Sequence, residues 1–338
     1  MEESNTKTFS KKNENIISLV DAIPLAKPLA VSIEISGACN FKCVCCPQSR
    51  KEFIDSGRAG HMQIETFDKI ISDLKSWNGD KIKTLALSAL GESLLNPNFT
   101  YMISQDFAPL CNHSMLTTNA SLLNGERARA ILESDLTYLK ISIYSIDQKK
   151  HEEITSSKID IKEIMENVAS FKSKRDASGK GPSIYVKMIE SESEKENKEF
   201  LSLFAPYADE ASIETLMDWN SRESFAGKQY NQHNTCQVCP YPFYRMHISN
   251  NGTVTFCCAD YMNELTYDNV NNNSLEKIWF AKELKEIQNN FLLRKQSSYP
   301  SCKNCTFMNT DRVYTSIDSL TSEIYLSRYA QRYEAKVQ

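Results

Sequence analysis

Along the first two thirds of the chain six short apolar runs alternate with five stretches of helical spacing. Val31 to Ser36, Ile82 to Ser88, Ser114 to Thr118, Tyr138 to Ile143, Ser183 to Ile189 and Ala211 to Leu216 read as strands. Between them Phe67, Ile70, Ile71, Leu74 and Trp77 recur at the steps of one helix face, and so do Ile161, Ile164, Met165, Val168 and Phe171. Further helices are expected around Phe99 to Phe107, Glu126 to Leu132 and Asn197 to Phe204. Strands that alternate with helices make parallel βαβ units, so the class is α/β. Six units fall short of an eight-fold barrel and fit an open, partial (β/α)6 one. In such folds the site lies at the carboxyl ends of the strands.

The pattern changes near residue 225. Gly227 to Thr235 is polar and reads as a linker. Tyr244 to Ser249 and Thr253 to Cys257 form a β-hairpin around Asn250-Asn251-Gly252, where the glycine supplies positive φ. Ser274 to Leu292 is expected to be one helix with Leu275, Ile278, Trp279, Leu284 and Ile287 on a face, and Ser316 to Ala335 another. The expected organisation is a polar tail over 1–28, a barrel over 29–225, a small hairpin-plus-helix domain over 226–315 and a C-terminal helix over 316–338.

The length of 338 residues agrees with two domains. With 41 % hydrophobic and 10 % aromatic residues the chain can bury a sizeable core, which excludes global disorder. Lysine and arginine total 39 against 43 acidic residues, a net charge of −4, which argues against a general nucleic-acid binder. No apolar run approaches the roughly 20 residues of a membrane span, and the polar start lacks a signal-peptide core. A cytoplasmic protein without a membrane partner is expected. In that reducing compartment the eleven cysteines point to metal or redox chemistry rather than disulfides. Four lie between Cys39 and Cys46 and six between Cys236 and Cys305, which makes two separate metal sites the first expectation; Cys111 stands apart and reads as a core residue.

Directly after the first strand, Cys39, Cys43 and Cys46 form C-x3-C-x2-C. Three thiolates can hold three irons of a cubane cluster and leave the fourth iron open to a small chelating ligand. Structural zinc prefers four protein ligands, and no histidine lies close by. This segment resembles the radical SAM enzymes. In that family the amino and carboxyl groups of S-adenosylmethionine (SAM) chelate the open iron, and one-electron reduction cleaves the sulfonium to a 5′-deoxyadenosyl radical. The resemblance implies a [4Fe-4S] cluster on Cys39, Cys43 and Cys46, with Phe41 and Cys45 in the cofactor-binding loop. Cys45 stands where the family usually has an aromatic residue, and it is also a competing ligand for Cys46.

Further family marks fall at successive strand ends. Ala89-Leu90-Gly91-Glu92-Ser93-Leu94-Leu95 resembles the G-E-P-L-L segment, with serine for the first proline. The resemblance implies that Glu92 accepts hydrogen bonds from the cofactor's amino group, and Gly91 lets the backbone come close to a ligand. Thr117-Thr118-Asn119-Ala120 resembles T-N-G, and Ile141-Ser142-Ile143 resembles I-S-(I/L), whose serine contacts the cofactor's ribose or carboxylate. Each mark alone is weak, since a lone Gly-Glu or a strand serine is commonly structural; together and in order they are specific. The arginine that the family often places a dozen residues after that serine is missing. Ile154, Thr155 and Ser156 occupy the region, and Lys158 is the nearest basic residue.

The C-terminal frame is Cys239, Gly252, Cys257, a long gap, then Cys302-Lys303-Asn304-Cys305. It resembles the SPASM or twitch domain of radical SAM enzymes, in the shorter form with one auxiliary cluster, because no cysteine follows Cys305. The resemblance implies an auxiliary [4Fe-4S] cluster on Cys239, Cys257, Cys302 and Cys305. Cys236 is an alternative to Cys239, Cys258 is expected on the other hairpin face, and a zinc ribbon is the competing reading. Asp260 is either a hairpin cap or a catalytic base, and Cys236 is a candidate hydrogen-atom donor. The five histidines form no ligand-spaced pair, and Trp219 and Asn220 are candidate pocket residues.

By resemblance the chain is an oxidoreductase that abstracts a hydrogen from a substrate carbon and passes an electron to the auxiliary cluster. A flavodoxin- or ferredoxin-type protein is the implied reductant. The expected substrate is a hydroxylated small molecule such as a sugar or aminocyclitol. The alternative is a ribosomal peptide; against it, the roughly 30 residues before the first strand are too few for a peptide-recognition domain. An electron-transfer protein is the third reading, and it gives Gly91, Glu92, Asn119 and Ser142 no purpose.

Overall fold

The computed structural model describes residues 18–214, 237–303, 305 and 316–333. Strands β1 (Ala30–Ile33), β2 (Ile82–Ala86), β3 (Cys111–Thr118), β4 (Tyr138–Ile143), β5 (Ser183–Ile189) and β6 (Glu210–Glu214) pair in parallel, each with the next in sequence. The sheet does not close, so the expected open partial barrel is what forms. Its alternation separates two faces. Leu139, Ile141 and Ile143 of β4 and Ile184, Val186 and Met188 of β5 are buried in one core with the helix residues Ile164, Val168 and Phe171. Lys140, Ser142, Tyr185 and Lys187 point the other way, into the concave side.

Helix Ile64–Ser76 buries Phe67, Ile70, Ile71 and Leu74, the stripe its spacing predicts. Helix Ile161–Ser178 starts where the Asp160 carboxylate accepts from the Lys162 amide and stops at Gly179, whose φ of 64° suits glycine.

Three further strands extend the sheet: the two of the expected hairpin, whose pairing with β1 no local pattern shows, and a short third. β7 (Arg245–Ile248) pairs in parallel with β1, from Ala30↔Arg245 to Ile33↔Ile248. β8 (Thr253–Thr255) returns antiparallel as the predicted hairpin, with Gly252 at φ 83°, and β9 (Asp268–Asn269) adds to β8. The described strands therefore form one nine-stranded sheet in the order β6-β5-β4-β3-β2-β1-β7-β8-β9. Ser32 Oγ and His247 Nδ1, 2.7 Å apart, stitch the β1–β7 junction inside the core. A second bridge runs from Arg50 Nη1 to the Tyr261 hydroxyl at 2.7 Å, with the guanidinium also 5.3 Å from the Tyr261 ring centre.

Several boundaries differ from expectation. Strand β1 stops at Ile33 because Ile35 turns away: its carbonyl accepts from Met62 N at 3.0 Å and Asn96 Nδ2 at 2.6 Å. The helix after β2 ends at Ile103, since the Asp135 carboxylate caps the amides of Phe107 (2.8 Å) and Ala108 (2.6 Å) in a turn. Ser274 to Leu292 is two helices, Leu275–Trp279 and Lys282–Leu292, parted at the extended Ala281. The break lets Trp279 Nε1 reach the Leu25 carbonyl at 2.9 Å. The last helix begins at Ser322 rather than Ser316 and packs Tyr325 and Tyr329 into the core. Helices Lys51–Asp55 and Gln148–Thr155 carry too few apolar residues for periodicity to show them. Among the described residues no helix is long and apolar enough to cross a membrane.

Candidate active site and cluster sites

The carboxyl ends of the strands surround a solvent-open cleft of about 1000 Å³. Every strand-end segment singled out in the sequence reaches it: Cys39, Phe41, Cys43, Cys45 and Cys46 after β1, Gly91 and Glu92 after β2, Asn119 after β3, and Ser142 on β4. The cysteine loop is held from outside. Lys42 N donates to the Thr155 carbonyl at 2.8 Å and Val44 N to the Ile154 carbonyl at 2.9 Å, so the loop rests on helix Gln148–Thr155. Phe41 is buried beneath it, edge-on to His151 at 5.6 Å. Gln48 Nε2 donates to the Gly37 carbonyl at 2.6 Å and closes the loop's far side.

Burial pushes the Cys39 thiol up to about 12 and the Cys45 and Cys46 thiols up to about 11; Cys43 is pushed up further, by burial and then by its neighbours Cys45 and Cys46. Crowded buried thiols ionise when a cation replaces their protons, which is the condition a metal cluster supplies. Among the described residues no three His, Cys, Asp or Glu side chains converge on a single-ion position. The thiols instead ring an open space, and the donor set fits a multi-iron cluster.

Gly91 is explained by the protein itself. A Cβ there would lie 2.1 Å from the Ser36 carbonyl oxygen and 2.6 Å from that of Ala38. The close approach that the glycine permits is therefore to the cysteine loop's own backbone, reinforced by Glu92 N donating to the Ala38 carbonyl at 2.8 Å. The Glu92 carboxylate is buried, and burial raises its pKa against three donors. Oε1 accepts from Thr118 Oγ1 at 2.8 Å and Leu94 N at 3.2 Å, and Oε2 accepts from Asn119 N at 2.8 Å. It staples the end of β2 to the end of β3 and keeps one acceptor position on Oε2. Asn119 is similarly engaged: Nδ2 donates to Asn40 Oδ1 at 2.9 Å, and Oδ1 accepts from Ser121. Ala120 has φ 60°, which explains the glycine that the T-N-G pattern has at this place.

If the free acceptor of Glu92 receives an ammonium, Glu92→Gln weakens SAM binding about ten-fold or more, the loss of a charge-assisted hydrogen bond of roughly 1.5–3 kcal/mol. Iron content is expected to persist. Equilibrium binding to the reconstituted variant reads this out, and unchanged affinity would confine Glu92 to the staple.

Among the cleft residues not found in the sequence are two of opposite charge. Lys187 on β5 and Glu214 on β6 line the cleft too, with Lys187 near enough to the Cys45 thiol to act on its charge. Glu214 Oε2 accepts from Lys187 Nζ at 2.7 Å; Oε1 accepts from Lys140 Nζ at 2.8 Å and the Tyr185 hydroxyl at 2.9 Å. Burial works to raise the Glu214 pKa, but Lys187 and Lys140 outweigh it and hold it down at about 2. Two lysines thus flank the one carboxylate, and of the two Lys187 lines the cleft. Lys158, the basic residue nearest the place of the family's arginine, is exposed. Strand alternation carried the signal, because 185, 187 and 189 share the face opposite the buried residues.

A second, smaller cavity is lined by Cys239, Cys257, Cys302 and Cys305 together with Asp260. These are the four cysteines that the resemblance implied; Cys236, the alternative to Cys239, lies outside the described residues. Cys257 is buried, and burial with Cys258, Cys239 and Cys305 nearby raises its pKa well above the ordinary value. Cys258 does not line the cavity and stands by the Arg245 guanidinium. The Asp260 carboxylate is occupied: Oδ2 accepts from Leu265 N at 2.8 Å, and Oδ1 from Glu264 N at 3.0 Å and Ser301 Oγ at 2.7 Å. It caps the 260–265 turn and ties it to the loop carrying Cys302. That geometry favours the cap over the catalytic base. Cys236, Trp219 and Asn220 lie outside the described residues. Cys111 is buried in the core.

A six-stranded open barrel with a thiol-ringed cleft at its carboxyl ends, joined to a four-thiol cavity, defines an α/β protein built for two iron–sulfur clusters. Residues 33–196 match the Radical SAM superfamily and residues 236–306 match the iron-sulfur cluster-binding domain SPASM. The chain belongs to the radical SAM superfamily and carries a SPASM domain; its cofactors are SAM, a [4Fe-4S] cluster and auxiliary iron–sulfur chemistry. Among solved structures it resembles BtrN in complex with AdoMet and 2-DOIA, at 15 % identity and TM-score 0.55, over 87 % of this chain and 96 % of that one. Streptococcus suis SuiB bound to its precursor peptide SuiA has 15 % identity and TM-score 0.62, over 86 % of this chain and 72 % of SuiB. Native anSMEcpe with bound AdoMet and Cp18Cys peptide has 13 % identity and TM-score 0.57, over 91 % and 98 %. These likenesses establish the fold. A search of curated proteins found no match.

Proposed function

We propose that the chain oxidises a hydroxylated small molecule by radical chemistry, with Cys39, Cys43 and Cys46 holding the SAM-binding cluster and Cys239, Cys257, Cys302 and Cys305 the auxiliary one. The observation that carries this reading is the pairing of two unlike thiol sites on one sheet. The three motif thiols, with Cys45 beside them, line a cleft at the strand ends, and four thiols line a second cavity. The first leaves a coordination position for a ligand; the second leaves none and suits an electron store. When bound, SAM supplies the hydrogen-abstracting radical.

The chain's own residues do the rest. Glu92 offers an acceptor to the cofactor's amino group, and Ser142 offers a hydroxyl to its ribose or carboxylate. The Lys187–Glu214 pair presents a charged donor and an acceptor to the cleft, which suits hydroxyl and amino groups of a sugar or cyclitol. Asp260 holds the auxiliary loop in place through Ser301. A flavodoxin- or ferredoxin-type protein supplies the electron. BtrN, whose structure holds 2-DOIA, favours a small substrate; SuiB and anSMEcpe, whose structures hold peptides, make a peptide the alternative.

The test is anaerobic turnover with SAM and dithionite against a panel of amino sugars and cyclitols and a panel of peptides. A product two mass units lighter, formed one-for-one with 5′-deoxyadenosine from a cyclitol or sugar, is the expected result. Glu214→Gln should then lower that turnover while SAM still binds. Modification of peptides alone would reassign the substrate.

A further inference from the structure

The two cysteine loops leave the β1–β7–β8 part of the sheet at opposite ends. In the β7–β8 register His247 faces Thr255 and Ile248 faces Val254; continued, it sets Cys257 opposite Arg245, the first residue of β7. The cleft lies at the other end, because β7 runs parallel to β1. The segment after Cys257 runs back along the strand: Ser249 Oγ, just past the end of β7, donates to Asn263 Oδ1 at 3.0 Å. On that return stands Tyr261, whose hydroxyl accepts from Arg50 Nη1 at 2.7 Å across 211 residues of sequence. Its ring also faces Phe53, with ring centres 6.4 Å apart.

Each partner is tied to one cysteine loop. Between Cys46 and Arg50 lies a single 3₁₀ turn, Pro47–Ser49. The Cys46 carbonyl accepts from Ser49 N at 3.1 Å and Ser49 Oγ at 2.8 Å, and the Pro47 carbonyl accepts from Arg50 N at 2.9 Å. Tyr261 follows Asp260, whose carboxylate accepts from Ser301, the residue before Cys302. A shift on either side of the bridge is therefore passed to a thiol-bearing loop through short, hydrogen-bonded turns.

We propose that Arg50 and Tyr261 are positioning residues that clamp the loop of the auxiliary site onto the loop of the SAM site, and so set how efficiently the substrate radical is oxidised. This rests on the reading of the auxiliary cluster as electron acceptor. In that step the substrate radical gives one electron to the auxiliary cluster and its hydroxyl proton to solvent, which leaves a carbonyl. The clamp acts on the span that this electron crosses; SAM cleavage comes earlier and needs the first loop alone. The bond is charge-assisted, and the guanidinium also stands 5.3 Å from the ring centre, so Arg50 engages both the hydroxyl and the face of the phenol.

The experiment uses the reconstituted full chain. Arg50→Met and Tyr261→Phe each delete the bond and should keep the wild-type iron count. In both, amide hydrogen exchange across 258–265 should rise about ten-fold or more, the effect of losing a charge-assisted bond. The EPR spin–spin broadening between the two reduced clusters should weaken. During turnover the ratio of 5′-deoxyadenosine to oxidised product should rise severalfold above one. The double variant should be no worse than the worse single one, because both changes remove the same interaction. Exchange and broadening at wild-type levels, additive effects, or a lower melting temperature with an unchanged ratio overturn the proposal. Should Arg50→Met not retain its clusters, Tyr261→Phe, which keeps the ring, carries the same three readings. Normal turnover by the Cys302→Ala, Cys305→Ala chain refutes the electron-acceptor reading instead; exchange and broadening still report on the clamp, so the two failures are distinct.

Discussion

Replacing Cys39, Cys43 and Cys46 together by alanine is expected to cut the reconstituted chain from about eight irons and eight sulfides to about four of each, and to abolish 5′-deoxyadenosine formation. The effect is total because all three thiols ring one cleft and the only competing thiol there, Cys45, cannot hold a cluster alone. The remaining iron should lie in the separate Cys239–Cys305 cavity, so the chain is expected to stay folded. Iron and sulfide assays with product chromatography check both halves. Residual deoxyadenosine would mean that Cys45 takes part in ligation. Loss of all iron would mean that the two sites assemble together.

The second large effect separates the clusters by task. Cys302→Ala with Cys305→Ala removes two of the four thiols from the second cavity. The cleft with its motif thiols, Glu92 and Ser142 is untouched. Under dithionite this variant should still produce 5′-deoxyadenosine, more slowly, and form little oxidised product. In the wild type the two should be near one-to-one with the true substrate. A variant that folds, lacks the second cluster and turns over normally would falsify the electron-acceptor role. It would favour a redox-neutral reaction such as epimerisation, in which a thiol returns a hydrogen atom; Cys236 is the first candidate.

Local signals carried the six parallel strands, the hairpin and both cysteine frames. They are all written in short stretches: alternation within a strand, Asn250-Asn251-Gly252 at a turn, or a fixed spacing between thiols. What escaped is non-local. Nothing near Arg245 says that it will pair with Ala30, 215 residues away like the Ser32–His247 contact in the same junction. The Glu92 motif was legible as a ligand contact, yet its three protein donors come from Leu94, Thr118 and Asn119, two of them at the end of the next strand and just beyond it. Lys187 and Glu214 looked like ordinary charged residues until the sheet set them side by side at the cleft. The single helix expected over Ser274 to Leu292 failed because apolar spacing continues across the extended Ala281 and does not register one residue of broken backbone.

The central claim is that one of two iron–sulfur sites in this chain has an iron open to SAM. Mössbauer spectroscopy on the anaerobically reconstituted ⁵⁷Fe protein, with and without SAM, addresses it directly. Two [4Fe-4S] clusters are predicted, and SAM should alter the signature of one iron of one cluster, leaving the other cluster unchanged. A single cluster, zinc in the four-cysteine cavity, or spectra identical with and without SAM would contradict the account.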